Sequence, residues 1–414
     1  MTKGLKKNGA EPRLHRPAAA AAEAILRRPE VRALSRLARR RREQVWLAGG
    51  VTRDVLLGRE VLDVDAVVSG SAEPLALALE KAGAGRCVPL SLEEPRVFRI
   101  ARADRELDLA ELTGGSIEKD LGRRDFTVNA IALDLVTLTW TDPFGGARDL
   151  AAGRLRMISA ENLADDPLRA LRAARLMASH GLSPEPATSL ACRRAAPGLS
   201  AVAPERIRSE LVKLLEAPRV ARALRWSLRN EVLAPALSVP PRQANRLGRR
   251  LAALDDAAVR RREPESRRRL RLCLLCDGLG IPASQEARWL AARRFGRAEA
   301  GDVAALLSLA RDAPRDGSAR DEWAWVHDAG PLGPEAARLL GLLFRNERPL
   351  AARLARRSRR PAVRARVAGA DVLAWLGIPP GPQVGTVLRE VRIEILRGAV
   401  RTRREARKWL RARR

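Results

Sequence analysis

The sequence predicts an α/β head followed by an all-helical neck, body and tail. From residue 45 to about residue 150, short β-like runs alternate with helical ones, as in VWLAGG, DVDAVV, RVFRIARA, RELDLAEL and TVNAIALDL. From about residue 160 to the end, apolar residues recur at three- and four-residue spacing between short Pro and Gly breaks, as in PERIRSELVKLLEAP. A basic, Ala-rich stretch precedes both parts and ends in a predicted helix, EVRALSRLARRRREQ.

We divide the chain accordingly into four segments. A basic N-terminal extension with a helix occupies residues 1–44, and the α/β head occupies residues 45–160. A helical neck follows at 161–238, and a helical body and tail fill residues 239–414.

Charge is the most unusual feature of the composition. The 78 Lys and Arg residues outnumber the 49 Asp and Glu residues by 29. A soluble protein this basic usually binds a polyanion, and nucleic acid is the first candidate. Only seven of the basic residues are Lys, so a genome that favours Arg codons is part of the explanation. Codon bias alone does not account for so large a surplus, and we expect a nucleic-acid partner.

Cysteines and apolar runs exclude several classes of protein. Cys273 and Cys276 are the only closely spaced pair among the four cysteines, and no second pair supplies the remaining ligands of a zinc site. We therefore expect both thiols on the buried side of a helix, and nothing demands an oxidising compartment. No apolar run reaches the roughly 18 residues needed to span a membrane. The expectation is a cytoplasmic protein that does not associate with membranes.

Two aspartates lie one residue apart in the predicted strand DVDAVV. Alternate side chains of a strand share a face, so Asp63 and Asp65 point the same way while Val64 points into the core. Adjacent carboxylates repel unless a cation lies between them, and Mg²⁺ suits such oxygen ligands. Asp108, in the predicted neighbouring strand LDLAEL, is a candidate third carboxylate for phosphoryl transfer, or an acidic residue on a solvated strand face.

A pair of glycines ends the first predicted strand. Gly49 and Gly50 allow a ligand to approach the backbone closely, and N–H groups at a helix start can receive a triphosphate. Arg53 follows one helical turn later and adds positive charge. Glycine before a helix is also ordinary turn chemistry, so the carboxylates give this segment its functional interpretation.

The segment GRRDFTVNA carries a further polar set. Arg124 and Asp125 stand directly before an apolar helix or strand, and Asn129 lies four residues after Asp125. Such a set can hold phosphate and ribose hydroxyls, or it can form a helix cap with a salt bridge.

The segment LADDPLRALRAARLMASHGL places charged side chains at three-residue spacing. On a helix, Asp166, Arg169, Arg172 and Arg175 would form a ridge along one side. In most proteins such a ridge is a solvated ion-pair face. A carboxylate can also accept from an exocyclic amine while a guanidinium donates to base acceptors, which would read the Watson–Crick edge of a nucleotide without a template strand.

Six motifs in this order resemble one family: GGVTRD, DVD, RRDFTVNA, DPFGGARDL, DDPLRALRAAR and PERIRSEL. They are similar to those of the class II tRNA nucleotidyltransferases and bacterial poly(A) polymerases, which share a polymerase-beta-type head with a mixed sheet and helices. The resemblance covers about residues 45–235 and returns near the C-terminus in GADVLAWLGIPPGPQVGTVLREVRIEILRGAV.

The resemblance implies two-metal nucleotidyl transfer from a nucleoside triphosphate to the 3′ end of tRNA. Asp63 and Asp65 would hold the catalytic Mg²⁺. Gly50, Arg53 and Arg124 would contact the incoming nucleotide.

Base selection is assigned by the same resemblance. Asp166 and Arg169 would be the templating pair, with Arg172 and Arg175 near the triphosphate. The motif usually begins Glu-Asp, whereas here it begins with Asp165, one methylene shorter, so its supporting role is altered. In some relatives a metal-dependent phosphohydrolase domain follows the head. This chain lacks the histidines such a site needs, so the dyad formed by His327 and the next residue is interpreted as structural.

The connection after LDLAEL is unusually short for this family. Only Thr113, Gly114 and Gly115 separate it from the helix that begins at SIEKDL. Full CCA-adding members typically carry a longer flexible loop here, associated with the switch from CTP to ATP. Its shortening is associated with enzymes that stop after CC. We therefore predict CC addition from CTP. Full CCA addition with a compensating segment, A addition or poly(A) synthesis from ATP, and a non-catalytic RNA-binding homologue are the alternatives.

Arginine is dense in the predicted body and tail, as in RRLAALDDAAVRRREPESRRRLRL, LARRSRRPAVRARV and RTRREARKWLRARR. These stretches suit salt-sensitive phosphate contacts along a tRNA acceptor arm, which read the shape of an A-form helix rather than its sequence. We predict tRNA as the macromolecular partner and infer no stable protein partner.

Overall fold

The computed structural model describes residues 16–61, 63–103, 105–359 and 367–412. Within it the chain forms two compact units. One consists of the chain up to Val202 together with Arg229–Ala236, and the other of Ala203–Leu228 together with the chain from Leu237 onward.

The first unit contains the α/β head. Its strands are β1 (Val45–Ala48), β2 (Val64–Val68), β3 (Arg86–Ser91), β4 (Val97–Ala101), β5 (Glu106–Glu111), β6 (Ala132–Asp134) and β7 (Trp140–Thr141). Its helices are α1 (Arg16–Leu26), α2 (Pro29–Arg41), α3 (Gly50–Leu56), α4 (Ala72–Lys81), α5 (Ile117–Gly122) and α6 (Gly146–Ala151).

The seven strands form one mixed sheet in the order β3-β4-β5-β2-β1-β6-β7. Strands β2 and β5 pair in parallel, with Asp65 opposite Asp108, whereas the other neighbours pair antiparallel. This confirms the predicted fold class and brings the carboxylates of two separate sequence motifs to neighbouring strands.

Both faces of the sheet are buried at β1, which explains why this strand is apolar at every position. Val45 and Leu47 join a core with α1, α2, α3 and α4, and the predicted basic helix contributes Leu34 to it. Trp46 and Ala48 point to the other face, where α5 packs through residues that include Leu121. Alternation of side chains across the strand therefore assigns each residue to one of two cores.

Three local features differ from the prediction. The strand β3 was not expected. The run TVNAIALDL was expected to be a strand, but it begins as a 3₁₀ turn over Thr127–Asn129 before β6. Asp63 lies just before β2 rather than within it, although Val64 is buried as expected.

Six further helices follow the head, together with a small parallel ribbon. The helices are α7 (Ala160–Asp165), α8 (Leu168–His180), α9 (Pro186–Ala195), α10 (Pro204–Glu216), α11 (Ala221–Arg229) and α12 (Leu233–Ala236). The ribbon pairs β8 (Arg154–Leu155) with β9 (Ser183–Pro184).

The helix predicted across DDPLRALRAAR is broken at its start. Asp166 ends α7 with φ −133° and ψ 90°, and α8 begins only after Pro167. Proline disfavours helical backbone at the residue before it, which is why the expected ridge begins at Arg169 rather than at Asp166.

The second unit is all-helical among its described residues. After α10 and most of α11 it contains α13 (Pro241–Arg246), α14 (Leu251–Leu254), α15 (Ala257–Arg260), α16 (Pro264–Leu279), α17 (Glu286–Ala292), α18 (Arg297–Arg311), α19 (Ala319–Ala329), α20 (Gly333–Leu343), α21 (Arg348–Arg357), α22 (Gly369–Leu376), α23 (Pro382–Arg397) and α24 (Arg403–Arg411).

Helix α16 crosses the centre of this unit. Cys273 and Cys276 are buried on it, as predicted, and burial raises the pKa of both thiols. Arg271 is also fully buried and donates to the carbonyl oxygens of Leu215 and Leu254. It therefore ties α16 to the ends of α10 and α14.

The predicted His327 dyad lies on α19. His327 Nδ1 is 3.0 Å from an Asp328 carboxylate oxygen, and Arg389 of α23 donates to both oxygens of that carboxylate. The dyad therefore has a structural role, because Asp328 links α19 to α23 through Arg389. None of the helices described here is both long enough and apolar enough to cross a membrane.

Candidate active site

A turn built on Gly49 gathers the predicted phosphate-binding groups. Gly49 has φ +95°, a conformation that side-chain-bearing residues rarely adopt. A Cβ at Gly49 would lie 2.7 Å from Arg124 Nη1 and 3.7 Å from Asp65 Oδ2. A Cβ at Gly50 would lie 3.5 Å from Arg53 Nη2 and 4.0 Å from the same Asp65 oxygen. Two guanidinium groups and one carboxylate therefore surround backbone that carries no side chain.

The two predicted metal-binding aspartates are accessible. Asp63 and Asp65 are both exposed, and the residue between them, Val64, is 1% exposed. Their carboxylates are hard oxygen ligands of the kind Mg²⁺ prefers, and Asp65 lies beside the glycine turn. Over the described ranges no three His, Cys, Asp or Glu side chains are grouped to hold a metal ion. Carboxylate oxygens of this kind fit Mg²⁺, which keeps positions open for phosphate oxygens.

The Asp108 carboxylate forms a bidentate salt bridge with Arg99. Arg99 Nε and Nη2 donate to its two carboxylate oxygens at 2.8 and 2.9 Å, across the β4–β5 pair. The hydrogen bond to Asp108 raises the pKa of Arg99, against the effect of its burial, so the guanidinium stays charged. To act as a third metal ligand, Asp108 would have to exchange Arg99 for the ion. Its catalytic role remains a prediction.

Asp125 is an ionised carboxylate buried beneath the site, 3% exposed. One oxygen accepts from Phe126 N and Asn129 Nδ2, and the other accepts from Arg172 Nη1 at 3.1 Å. Burial alone would raise the pKa of Asp125, but the Arg172 charge and these hydrogen bonds hold it below its ordinary value. Asp125 therefore anchors Arg172 of α8 to the segment that carries Asn129.

Arg53 is buried, with 5% of its surface exposed. Its Nε and Nη2 donate to the two oxygens of Asp54 at 3.0 and 2.9 Å, and its Nη1 donates to Asn129 Oδ1 at 2.7 Å. Its guanidinium is thus fixed in one orientation, with its terminal nitrogens next to Gly50.

The predicted templating pair lies at the start of α8. Arg169 Nε is 3.9 Å from Asp166 Oδ2, and Arg169 Nη1 donates to the carbonyl oxygen of Asn162 at 2.9 Å. Burial lowers the pKa of Arg169, partly offset by the neighbouring carboxylates. Arg175 follows Arg172 one turn further along the same helix.

Four polar residues that support this arrangement were not found from the sequence. Asn162 Nδ2 donates to the backbone oxygens of Gly122 and Arg124, both at 2.8 Å. Asp120 Oδ2 accepts from Arg124 Nη2 at 3.2 Å. The other two are Asp54 and its partner His180. Asp54 beside Arg53 and Asp120 four residues before Arg124 gave usable local signals. Asn162 and His180 contact their partners across long sequence separations, and no local pattern identifies them.

Comparison with known proteins agrees with this geometry. Residues 45–156 match the Poly A polymerase head domain, and residues 181–233 match the probable RNA and SrmB-binding site of polymerase A. The chain is 34% identical to the CC-adding tRNA nucleotidyltransferase of Geobacter sulfurreducens over 88% of its own length and 91% of that protein. It is 42% identical to the CC-adding tRNA nucleotidyltransferase of Synechocystis sp. over 46% of each chain.

A solved structure shares the fold. The crystal structure of the Bacillus stearothermophilus CCA-adding enzyme in complex with CTP superposes with a TM-score of 0.74 at 25% identity, covering 93% of this chain and 98% of that one. Fold and site together define a nucleotidyltransferase with a mixed-sheet head. The chain belongs to the family of class II tRNA nucleotidyltransferases and bacterial poly(A) polymerases.

Proposed function

We propose that this enzyme adds CC to the 3′ end of tRNA from CTP, without a template, in the cytoplasm. The observation that carries the choice of CC is the closed turn between β5 and α5. Gly114 and Gly115 have φ of +79° and +81°, and Thr113 N donates to Asp120 Oδ1 at 3.4 Å. Ser116 caps α5 by accepting from Lys119 N at 3.3 Å.

A turn this short, bonded at both ends to α5, leaves no segment that could swing between two positions. In the resemblance stated above, loss of the flexible loop accompanies enzymes that do not switch to ATP. The CC-adding enzymes of Geobacter and Synechocystis, with 34% and 42% identity, favour the same specificity. The similarity to a CCA-adding enzyme at a TM-score of 0.74 keeps CCA addition as the second candidate.

Phosphate binding falls to the glycine turn. In our proposal the Gly49 and Gly50 backbone, with Arg53 and Arg124 beside it, receives the triphosphate of CTP. Asp63 and Asp65 would hold Mg²⁺, which supplies charge stabilisation at the reacting phosphate. The tRNA 3′-oxygen bonds to the α-phosphorus, the α–β bridging P–O bond breaks, pyrophosphate leaves, and the hydroxyl proton is released to water.

Base selection falls to the start of α8. Cytosine presents an exocyclic amine beside two acceptors on its Watson–Crick edge. The Asp166 carboxylate can accept from the amine, and Arg169 can donate to the acceptors. The Asn162 carbonyl that holds Arg169 also belongs to the residue that binds the Arg124 backbone, so base-reading and phosphate-binding groups share one support.

Binding of the tRNA arm is assigned to the helical body and tail. The whole chain carries a net charge of +29, which favours attraction to phosphate, and arginine is dense in the body and tail. The contacts would follow the shape of the acceptor arm. We therefore expect affinity to fall steeply with salt while the nucleotide specificity stays the same.

The test uses three tRNA transcripts ending at the discriminator base, at C and at CC. Each receives CTP, ATP or both, with products resolved to single nucleotides. The proposal expects growth to stop at CC and a CC-ended tRNA to ignore ATP. Addition of one A to the CC-ended tRNA would identify a complete CCA enzyme, and repeated A addition from ATP alone would identify a poly(A) polymerase.

A matched pair of variants tests the metal assignment. Asp63→Ala is expected to abolish incorporation while tRNA binding stays nearly intact. Asp316→Ala removes the same charge from an exposed loop between α18 and α19 and is expected to keep full activity. Surviving activity in the Asp63 variant would contradict the metal assignment and favour another carboxylate.

A further inference from the structure

A partly buried polar pair joins α3 to the far end of α8. His180 Nε2 lies 3.0 Å from Asp54 Oδ1, and the two side chains are 7% and 25% exposed. The other ring nitrogen, Nδ1, lies 2.7 Å from Ser179 Oγ. A second contact runs parallel to the pair, because Arg59 Nη1 donates to the Ser179 carbonyl oxygen at 3.1 Å. Neither His180 nor Asp54 belongs to the groups assigned to nucleotide or metal.

Asp54 connects this pair to the candidate active site. Its Oδ1 accepts from both His180 and Arg53 Nε, while its Oδ2 accepts from Arg53 Nη2. With Nη1 bonded to Asn129, three of the five N–H groups of Arg53 are assigned. One N–H remains on each terminal nitrogen, and these nitrogens lie 3.9 and 3.5 Å from the position of a Cβ on Gly50. The two nitrogens that carry the unassigned donors therefore lie beside the glycine turn.

The chemistry of Asp54 determines how His180 must be protonated. An ionised carboxylate only accepts, so Nε2 of His180 carries the hydrogen that it donates. Burial lowers the pKa of His180, more than the hydrogen bond to Asp54 raises it, so the neutral ring is favoured. In the neutral ring Nδ1 has no hydrogen and can only accept. The single Ser179 hydroxyl hydrogen is then shared between Nδ1, 2.7 Å from Oγ, and the carbonyl oxygen of Arg175, 2.8 Å from Oγ. His180 therefore presents one donor, Nε2–H, to Asp54.

We propose that His180 is a positioning residue for the nucleotide site. Through Asp54 it fixes the Arg53 guanidinium with the two terminal nitrogens beside the Gly50 backbone, where incoming phosphate is received. The inference rests on the proposed function only in placing the nucleotide phosphates at the glycine turn. It applies equally to CTP and to ATP.

Three variants separate this role from simple packing. His180→Leu keeps the volume but removes the donor, so we expect the KM for nucleotide to rise about tenfold, the loss typical of one charge-assisted hydrogen bond. His180→Gln can place an amide N–H near the Nε2 position and is expected to restore the KM to within about twofold of wild type. His327→Leu disrupts a His–Asp contact of the same 3.0 Å length in the other unit and serves as the control.

The measurement is steady-state kinetics with whichever nucleotide the wild type incorporates, accompanied by thermal unfolding. The KM for tRNA and kcat are expected to stay near wild type in all three variants. If the wild type uses ATP instead of CTP, the proposed CC specificity is wrong. The role of His180 can still be tested, because the same kinetics are then measured with ATP. An unaltered nucleotide KM in His180→Leu, or an equal rise in His180→Gln, would overturn the positioning role.

A fourth variant keeps the test possible if His180→Leu does not fold. His180→Asn places its amide near the Nδ1 position and cannot reach Asp54. The positioning role predicts a raised KM for nucleotide in His180→Asn and a normal KM in His180→Gln. Equal KM values in the two variants would contradict the role.

Discussion

Substitution of Gly49 by alanine tests the turn on which the candidate site is built. Its backbone has φ +95° and ψ −130°, which an L-residue adopts only under strain. Such a conformation costs about 1–3 kcal/mol for a residue other than glycine. For a unit of this size that corresponds to a fall in unfolding temperature of about 3–9 °C.

The same methyl group also displaces a functional side chain. It would lie 2.7 Å from Arg124 Nη1, which is closer than a carbon and a nitrogen can approach without bonding. The guanidinium end is flexible enough to move, so most of the effect falls on activity. Displacement of a binding group by about 1 Å can cost about a hundredfold in rate, and we expect a loss of that order in kcat/KM.

Gly50→Ala is the matched control for stability. Gly50 lies in the first turn of α3, and its Cβ would make an ordinary 3.5 Å contact with Arg53 Nη2. Alanine there should keep or raise the unfolding temperature while hindering the approach of phosphate to the backbone. Differential scanning fluorimetry and nucleotide-addition kinetics on both variants give the comparison. Normal stability and activity in Gly49→Ala would refute the described turn, and lost stability with normal activity would refute its role in phosphate binding.

Three further predictions follow from the contacts above. Asp120→Asn removes the charge that holds Arg124 and is expected to lower kcat/KM for nucleotide about tenfold in addition assays, whereas no change would show that Arg124 is held by other groups. Burial lowers the pKa of His180 below its ordinary value of 6.5. Below pH 6.5 the unfolded chain therefore binds more protons at this residue than the folded chain does. As a result, the free energy of unfolding decreases as the pH falls below 6.5. The unfolding temperature of wild type should therefore fall more between pH 7.5 and 5.5 than that of His180→Gln, and parallel profiles would contradict the assigned burial (the two pH values are about one unit either side of the ordinary value). Arg271→Met leaves the buried carbonyl oxygens of Leu215 and Leu254 without this donor, and each such loss costs about 1–3 kcal/mol. The second unit should therefore be destabilised by about 3–5 kcal/mol in thermal or urea unfolding. Exposed Arg260→Met is the neutral control, and an unchanged midpoint in Arg271→Met would be the contrary result.

Alternating apolar patterns made most of the head predictable from sequence. Strands β1, β2, β4 and β5 are continuous apolar or alternating runs, and each was predicted from its letters. Strand β3 was missed because RCVPLS contains a proline and has both faces partly exposed at the edge of the sheet, so it lacks the burial pattern of an inner strand. Pro167 disfavours helical backbone at Asp166, and the three-residue charge spacing does not reveal this break.

The sequence predicted which residues belong to the candidate site, but not which hydrogen-bond partners they have. Glycines and aspartates were identifiable because few residue types can supply bare backbone or hard oxygen ligands. Which carboxylate each arginine selects depends on strand register and helix packing, as with Arg99 and Asp108 across β4 and β5. The pairing of Asp54 with His180 spans 126 positions of sequence, and no local pattern specifies it.

The register of β2 links folding to chemistry. Because side chains alternate, a shift of one residue against β1 or β5 would turn Asp65 into the apolar core and expose Val64 to water. Burying an unpaired carboxylate costs several kcal/mol, so a shifted sheet is not a stable alternative. The same core contacts that stabilise the sheet therefore fix the orientation of Asp65, a candidate metal ligand. A molecule that completes its core has placed this carboxylate on the side of the glycine turn. During refolding, activity should return together with the native core, without a compact but inactive register isomer accumulating beforehand.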